Sequence, residues 1–307
     1  MYKKLVLSAL VVSTSLMASQ YNLKALKITQ DITCVIGDFN PPKKENKGFV
    51  SNMCYINIGD SIVILDAGPT YIFAKEFYEL MHKEYPNKKV SNVVLSNYHD
   101  DRIQGASFFK DLGAKIIGHK TINDDIKKNP AKFARMKMIM DKQQLKNTKV
   151  ILADTLVDDG YKIIGNSKTL TILKPSKIAE ERSDIAIYSP DDSFLFVGNM
   201  VFNGRMLNYT KHSNVDGWIK ALTKLSKLNA KYFLGGHGKE YDKNSYKASL
   251  NYLKILKNNV TKAYDEEVDI EDIKLKTTTY KTIKIPYYKQ LNYNNISNYY
   301  NQLEWSE

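Results

Sequence analysis

Residues 93–106 read Val93-Val94-Leu95-Ser96-Asn97-Tyr98-His99-Asp100-Asp101-Arg102-Ile103-Gln104-Gly105-Ala106, and this stretch decides the fold. The β-branched run 93–95 predicts a buried strand, and it ends in a burst of polar residues of the kind that bind metals and ligands. Side chains alternate along extended backbone, so Asn97, His99 and Asp101 are expected to point into one pocket at the strand's C-terminal end. Layered α/β sheets place their chemistry there.

Outward from this motif the chain alternates. Residues 61–69 read as a buried strand ending in a turn, 72–85 as a helix with apolar residues at helical spacing (Phe73, Phe77, Leu80, Met81), 104–111 as the helix after the motif, and 114–119 as a further strand. Strand, helix, strand, helix, strand is the order of a layered α/β domain. Residues 122–147 are charged and helical, an expected insertion or lid. A second β-rich half follows (169–173, 184–188, 194–197), then a helix at 218–228, a strand at 232–234, the turn Gly235-Gly236-His237-Gly238 and a helix at 246–263. The two β-rich halves fit a pseudo-duplicated sandwich. Residues 264–307 are expected to form a C-terminal extension docked on the body through its tyrosines and Trp305.

The amino terminus sets the expected compartment. Lys3 and Lys4 precede a short apolar run (5–16) and the small residues Ala18 and Ser19, which reads as a secretory signal peptide over 1–19. The run is too short to span a bilayer comfortably, so no stable membrane insertion is expected after cleavage. A periplasmic or secreted protein follows. The net charge of +12 would suggest nucleic acid in a cytoplasmic protein, but the lysines are scattered and the chain reads as exported. No nucleic-acid partner is expected. The two cysteines, Cys34 and Cys54, fall in neighbouring predicted strands, compatible either with one disulfide or with two buried thiols.

The motifs together resemble the metallo-β-lactamase superfamily. Ile64-Leu65-Asp66-Ala67-Gly68 looks like the family's strand ending in Asp-x-Gly, and Asn97 to Arg102 resembles its His-x-His-x-Asp-His signature. Residues 184–199 resemble its strand pair leading to a Gly-Asp turn, here Gly198-Asn199, and Gly235 to Gly238 its Gly-Gly-His-Gly turn. The resemblance covers about residues 30–262 and implies a four-layer αβ/βα sandwich over 20–263. It also implies a two-zinc site that activates a water. Position by position, the first metal would meet Asn97, His99 and Glu180, and the second Asp101, Arg102, Asn199 and His237. Only His99, Asp101 and His237 are family-type ligands, with Glu180 a substitute, and Asp66 is expected behind them.

Asn-Tyr-His-x-Asp-Arg also looks like the motif of the subclass that works with a single zinc. That subclass has a Cys where Asn199 stands, and lactamases place a substrate-anchoring Lys where this chain has Phe202, so true β-lactamase activity is not expected. In texture the chain is closer to exported members associated with quinoprotein and sulfur-oxidation systems.

Two readings follow. In the first, the site has lost dizinc hydrolysis and the protein is a binding or accessory protein without metal. Its pocket of Asn97, Arg102, Asn199 and Asp66 would take a small polar or anionic ligand, with Arg102 as the recognition group. In the second, His99, Asp101, His237 and Glu180 hold one Zn²⁺, Fe²⁺ or Mn²⁺, with Asp101 the catalytic carboxylate of a hydrolase.

Overall fold

Alternation along the strands sorts the apolar residues into three cores. We describe the protein from a computed structural model, over residues 20–273 and 288–305. The expected signal peptide lies outside the described residues, as does part of the C-terminal extension.

The first half contributes β1 (Leu26–Lys27), β2 (Ile32–Val35), β3 (Met53–Asn57), β4 (Ile62–Leu65), α1 (Tyr71–Glu84), β5 (Val90–Leu95), α2 (Asp100–Ile103), α3 (Ala106–Asp111), β6 (Lys115–His119), α4 (Ile122–Lys128), α5 (Arg135–Ile139) and β7 (Thr155–Val157). The second contributes β8 (Lys162–Ile164), β9 (Thr169–Leu173), β10 (Ala186–Ser189), β11 (Phe194–Phe196), α6 (Val215–Ser226), β12 (Tyr232–Leu234), α7 (Lys247–Asp265) and α8 (Tyr288–Glu304). β1 to β7 form a seven-stranded sheet in sequence order, and β12-β11-β10-β9-β8 a five-stranded one.

In β4, Ile62 and Ile64 face α1 and α3, while Val63 and Leu65 face the second sheet. The period of two thus buries both faces of one strand against different partners. The core between the sheets joins Val63, Leu65, Val94 and Ile117 to Leu170, Ile172, Ile187 and Phe196. A third core seats Trp218, Leu222, Tyr252 and Leu256 on the outer face of the second sheet. Helix, sheet, sheet, helix is therefore the layer order. α1 shows how the local sequence sets an element. Thr70 caps it by accepting from the Phe73 amide at 3.0 Å, and Phe73, Phe77 and Met81 recur every fourth residue to make its buried stripe.

Cys34 and Cys54 are register partners on β2 and β3 and form a disulfide, which settles the alternative left open by the sequence. The bridge restricts the unfolded chain over a sequence separation of 20. The double variant Cys34→Ala/Cys54→Ala should therefore lose about 3 kcal/mol in urea unfolding, and an unchanged midpoint would deny the bridge a role in stability.

α8 packs on the outer core through Ile296 and Tyr299, and the buried Asn295 donates to the Leu207 carbonyl and accepts from the Tyr209 amide. Trp305, one of the residues from which docking was argued, is 88% exposed instead. It follows the last turn of α8 and finds no apolar surface there. Among the described residues no helix is long and apolar enough to cross a membrane.

Candidate functional site

Four chain reversals meet at the C-terminal ends of the strands. Asp66 follows β4, residues 96–99 follow β5, Gly198 and Asn199 follow β11, and residues 235–237 follow β12. Asp66 sits in the left-handed region (φ 58°), a strained backbone held by its bonds. Its Oδ1 accepts from the Ser96 amide at 2.7 Å and its Oδ2 from the Ser96 hydroxyl at 2.7 Å. Gly236 shows why the turn needs glycine: a Cβ there would lie 2.1 Å from Arg102 Nη2.

The expected alternation of Asn97, His99 and Asp101 stops short. β5 ends at Leu95, and Asp101 lies in the first turn of α2, so it reaches the site from a helix. Asn97 turns away: its Nδ2 donates to Asp184 Oδ1 at 3.1 Å and its Oδ1 accepts from the His99 amide at 3.0 Å.

The centre of the site is Arg102, wholly buried. Nη1 donates to Asp66 Oδ2 at 2.5 Å, and Nη2 to Asn199 Oδ1, to the Gly236 carbonyl at 3.2 Å and to His237 Nε2 at 3.4 Å. Burial pushes the Asp66 carboxyl up and the Arg102 charge pulls it back. With three donors on its two oxygens, the carboxylate is the form that fits. Arg102 is thus no recognition group for a ligand. Both terminal nitrogens of its guanidinium are engaged inside the protein, because a planar fork of donors matches the acceptors left by Asp66, Asn199 and the glycine turn, while the buried Nε has no partner.

Hydrogen bonding fixes both histidine tautomers. His237 Nδ1 lies 2.7 Å from the Val50 carbonyl, which can only accept, so Nδ1 carries the proton and Nε2 receives from Arg102. His99 Nε2 lies 3.1 Å from Glu181 Oε1 and donates to it, while Nδ1 accepts from Asn199 Nδ2 at 2.9 Å. Both rings are neutral. Burial lowers His99 to about 4, with Lys132 assisting, and takes His237 well below its ordinary range, with Arg205 and Arg102 assisting.

The carboxylates divide. Burial resists ionisation of Asp101, but the fixed charges of Arg102 and Arg135 outweigh it and hold the group well below the usual range. Glu181 is likewise brought to about 2, against burial, by His99 and Lys132. Glu180 goes the other way. It is buried, its Oε2 has no partner, and burial with Asp184 and Glu181 pushes it well above its ordinary value. Its Oε2 lies 3.9 Å from His99 Nε2.

The sequence reading missed Glu181, Asp184, Asp100 and the cations Lys132, Arg135 and Arg205. Lys132 donates to Glu181 Oε1 at 2.9 Å, and Arg135 forks onto the buried Asp100, with Nε at 2.9 Å from Oδ2. Both cations come from the 122–147 insertion. Glu180 and Glu181 lie outside the regular elements, and only the fold reveals that both are buried.

With this geometry in hand, comparison with known proteins is direct. The profile of the metallo-beta-lactamase superfamily matches residues 46–237. The chain belongs to that family. Among curated relatives, a type 2 metallo-beta-lactamase of Bacillus sp. (strain 170) is 25% identical over 71% of this chain and 77% of its own length. The type 2 enzyme of Elizabethkingia meningoseptica is 20% identical over 67% and 76%. Among solved structures, a metallo-beta-lactamase from Pontibacter korlensis superposes with TM-score 0.62 at 16% identity, covering 76% of this chain and 99% of that one. A Pseudomonas aeruginosa metallo-beta-lactamase in its mono-zinc form gives 0.59 at 16% identity, over 76% and 95%. These likenesses establish the fold.

The family implies zinc, and the residues here do not fit a zinc pair. A metal needs imidazole lone pairs aimed at a common point. The His99 lone pair is taken by the Asn199 amide and the His237 lone pair by Arg102, whose charge stands among the acceptors a second metal would use. Among the described residues, no group of three or more His, Cys, Asp or Glu is arranged to hold a metal ion.

Proposed function

We propose that this protein is an exported binding or accessory member of the metallo-β-lactamase superfamily in which an internal arginine replaces metal chemistry. One observation carries the reading: the Arg102 guanidinium bridges Asp66, Asn199, Gly236 and His237, filling the centre of the site with a fixed positive charge. A charge supplied by the chain needs no ligands and cannot be lost to a chelator, but it activates no water. Asn199 in place of a bridging carboxylate fits the same exchange, because its oxygen accepts from Arg102 while its amide donates to His99. The disulfide is consistent with an oxidising compartment outside the cytoplasm.

Elemental analysis tests the reading. Protein purified without chelator, before and after incubation with Zn²⁺, Mn²⁺ or Fe²⁺, is expected to hold only substoichiometric metal. A chromogenic β-lactam should be left intact. One tightly held ion per chain, released by His99→Ala or His237→Ala, would instead establish the remodelled mononuclear hydrolase of His99, Asp101, His237 and Glu180.

A further inference from the structure

The lysines are scattered along the chain as a whole, but residues 126–150 hold seven of them, with Arg135, against a single acid, Asp141. Two of these cations are committed to the site: Lys132 donates to Glu181 and Arg135 to Asp100. The other six, Lys127, Lys128, Lys137, Lys142, Lys146 and Lys149, are exposed, and none has an acidic partner among the described residues. Like charges gathered in this way favour an anionic partner. Apolar surface is interleaved with them. A groove of about 390 Å³ opens between α4, α5 and the loop that follows, lined by Ile126, Phe133, Leu145 and Val150 and by two of the same lysines, Lys127 and Lys137. Beside Lys137 on α5, Met138 is 84% exposed, whereas Met136 and Met140, two residues to either side, are buried.

We propose that residues 126–150 form a peripheral docking surface for an anionic lipid bilayer, the six lysines meeting lipid phosphates and Met138 and the groove the acyl boundary. This surface does not depend on what the Arg102 site holds. Lysine ammoniums are flexible point charges, suited to a field of mobile phosphates and not to one shaped anion. The apolar side chains among them gain nothing from a purely polar partner but gain from contact with acyl chains. Nucleic acid fits less well. Phe133 is the only aromatic residue in the stretch and is buried, and Arg135, its only guanidinium, is held by Asp100. Because Lys132 and Arg135 tie the stretch to Glu181 and Asp100, docking it brings the site close to the lipid surface.

Vesicle co-sedimentation of the full-length protein tests this, with phosphatidylcholine alone and with about 30% phosphatidylglycerol added. Binding is expected to the anionic vesicles and not to the neutral ones, and it should fall several-fold as NaCl rises from about 0.1 to about 0.5 M. Lys137→Glu/Lys142→Glu/Lys146→Glu should weaken it by about tenfold or more. Lys220→Glu/Lys247→Glu/Lys254→Glu makes the same change of net charge on exposed lysines of α6 and α7, and should weaken it by less than about threefold. Residues 1–19 are common to all variants, so binding through them would show as no difference between the two triples. Met138→Ser removes the apolar contact and keeps every charge, and should weaken binding by about threefold or more. No binding to anionic vesicles, equal binding by the two triples, or binding unchanged in Met138→Ser would overturn the proposal. So would a duplex oligonucleotide that binds while the vesicles do not, which would assign the lysines to nucleic acid.

Discussion

Arg102→Met is expected to lose about 3–5 kcal/mol of folding stability, measured as a fall in the urea midpoint at constant slope. Met fills much of the volume but leaves Asp66 buried without a counter-ion, Asn199 Oδ1 without a donor and the Gly236 carbonyl short of one. An uncompensated buried charge dominates that sum, so the pair is best judged by a cycle. Asp66→Leu alone strands the guanidinium and should also be severe. The double variant Arg102→Met/Asp66→Leu removes both charges and should recover a large part of either loss, giving a coupling of several kcal/mol. Arg102→Met within about 1 kcal/mol of wild type would mean that the arginine is not the keystone of the site.

How far the sequence reaches is clearest residue by residue. The sheets were legible because their signal is local: β9 and β12 fall where 169–173 and 232–234 were read, and runs such as Ile62 to Leu65 can be buried on both faces only in a layered fold. The motif positions that meet in the site, Asp66, His99, Arg102, Asn199 and His237, were also named in advance. What they do to one another was not. A ligand motif suggests side chains converging on an external atom, but Arg102 closes the centre from within, and the tautomers follow from Val50 and Glu181, which no motif marks. Lys132 and Arg135 look like any other cations in a basic chain. Their roles come from what lies across from them, which depends on the tertiary fold and not on spacing. The alternation argument failed at Asp101 for a local reason. The Asp100-Asp101 pair falls in the first turn of α2, where acidic residues favour a helical start over continued strand.

Acid should unfold this protein well before its surface carboxylates are exhausted. His99 is neutral in the fold with its pKa lowered from 6.5 to about 4, so between those values the unfolded chain takes up a proton that the native state refuses. Stability tied to His99 is complete above pH 6.5 and is lost as pH falls toward 4, on the order of 3 kcal/mol for the full shift. His237, lowered further and held neutral by its Val50 bond and two neighbouring arginines, acts in the same direction. Two carboxyls oppose them. Asp184, raised to about 6, and Glu180, raised well above its ordinary value, hold protons that the unfolded chain has released, so acidification relieves a cost they impose at neutral pH. Between pH 6.5 and 5 each histidine adds up to one proton to the unfolded chain and each raised carboxyl holds up to one in the native state, so the two pairs largely offset each other. The urea midpoint should therefore change little across that interval and fall below it, where Asp101 and Glu181, held low in the fold, stay ionised while the unfolded carboxyls take up protons. Asp184→Asn should turn the plateau into a fall by removing an opposing group, and an Asp184→Asn midpoint that stays flat or rises from pH 6.5 to 5 would show that one of the two rings is already charged in the native site.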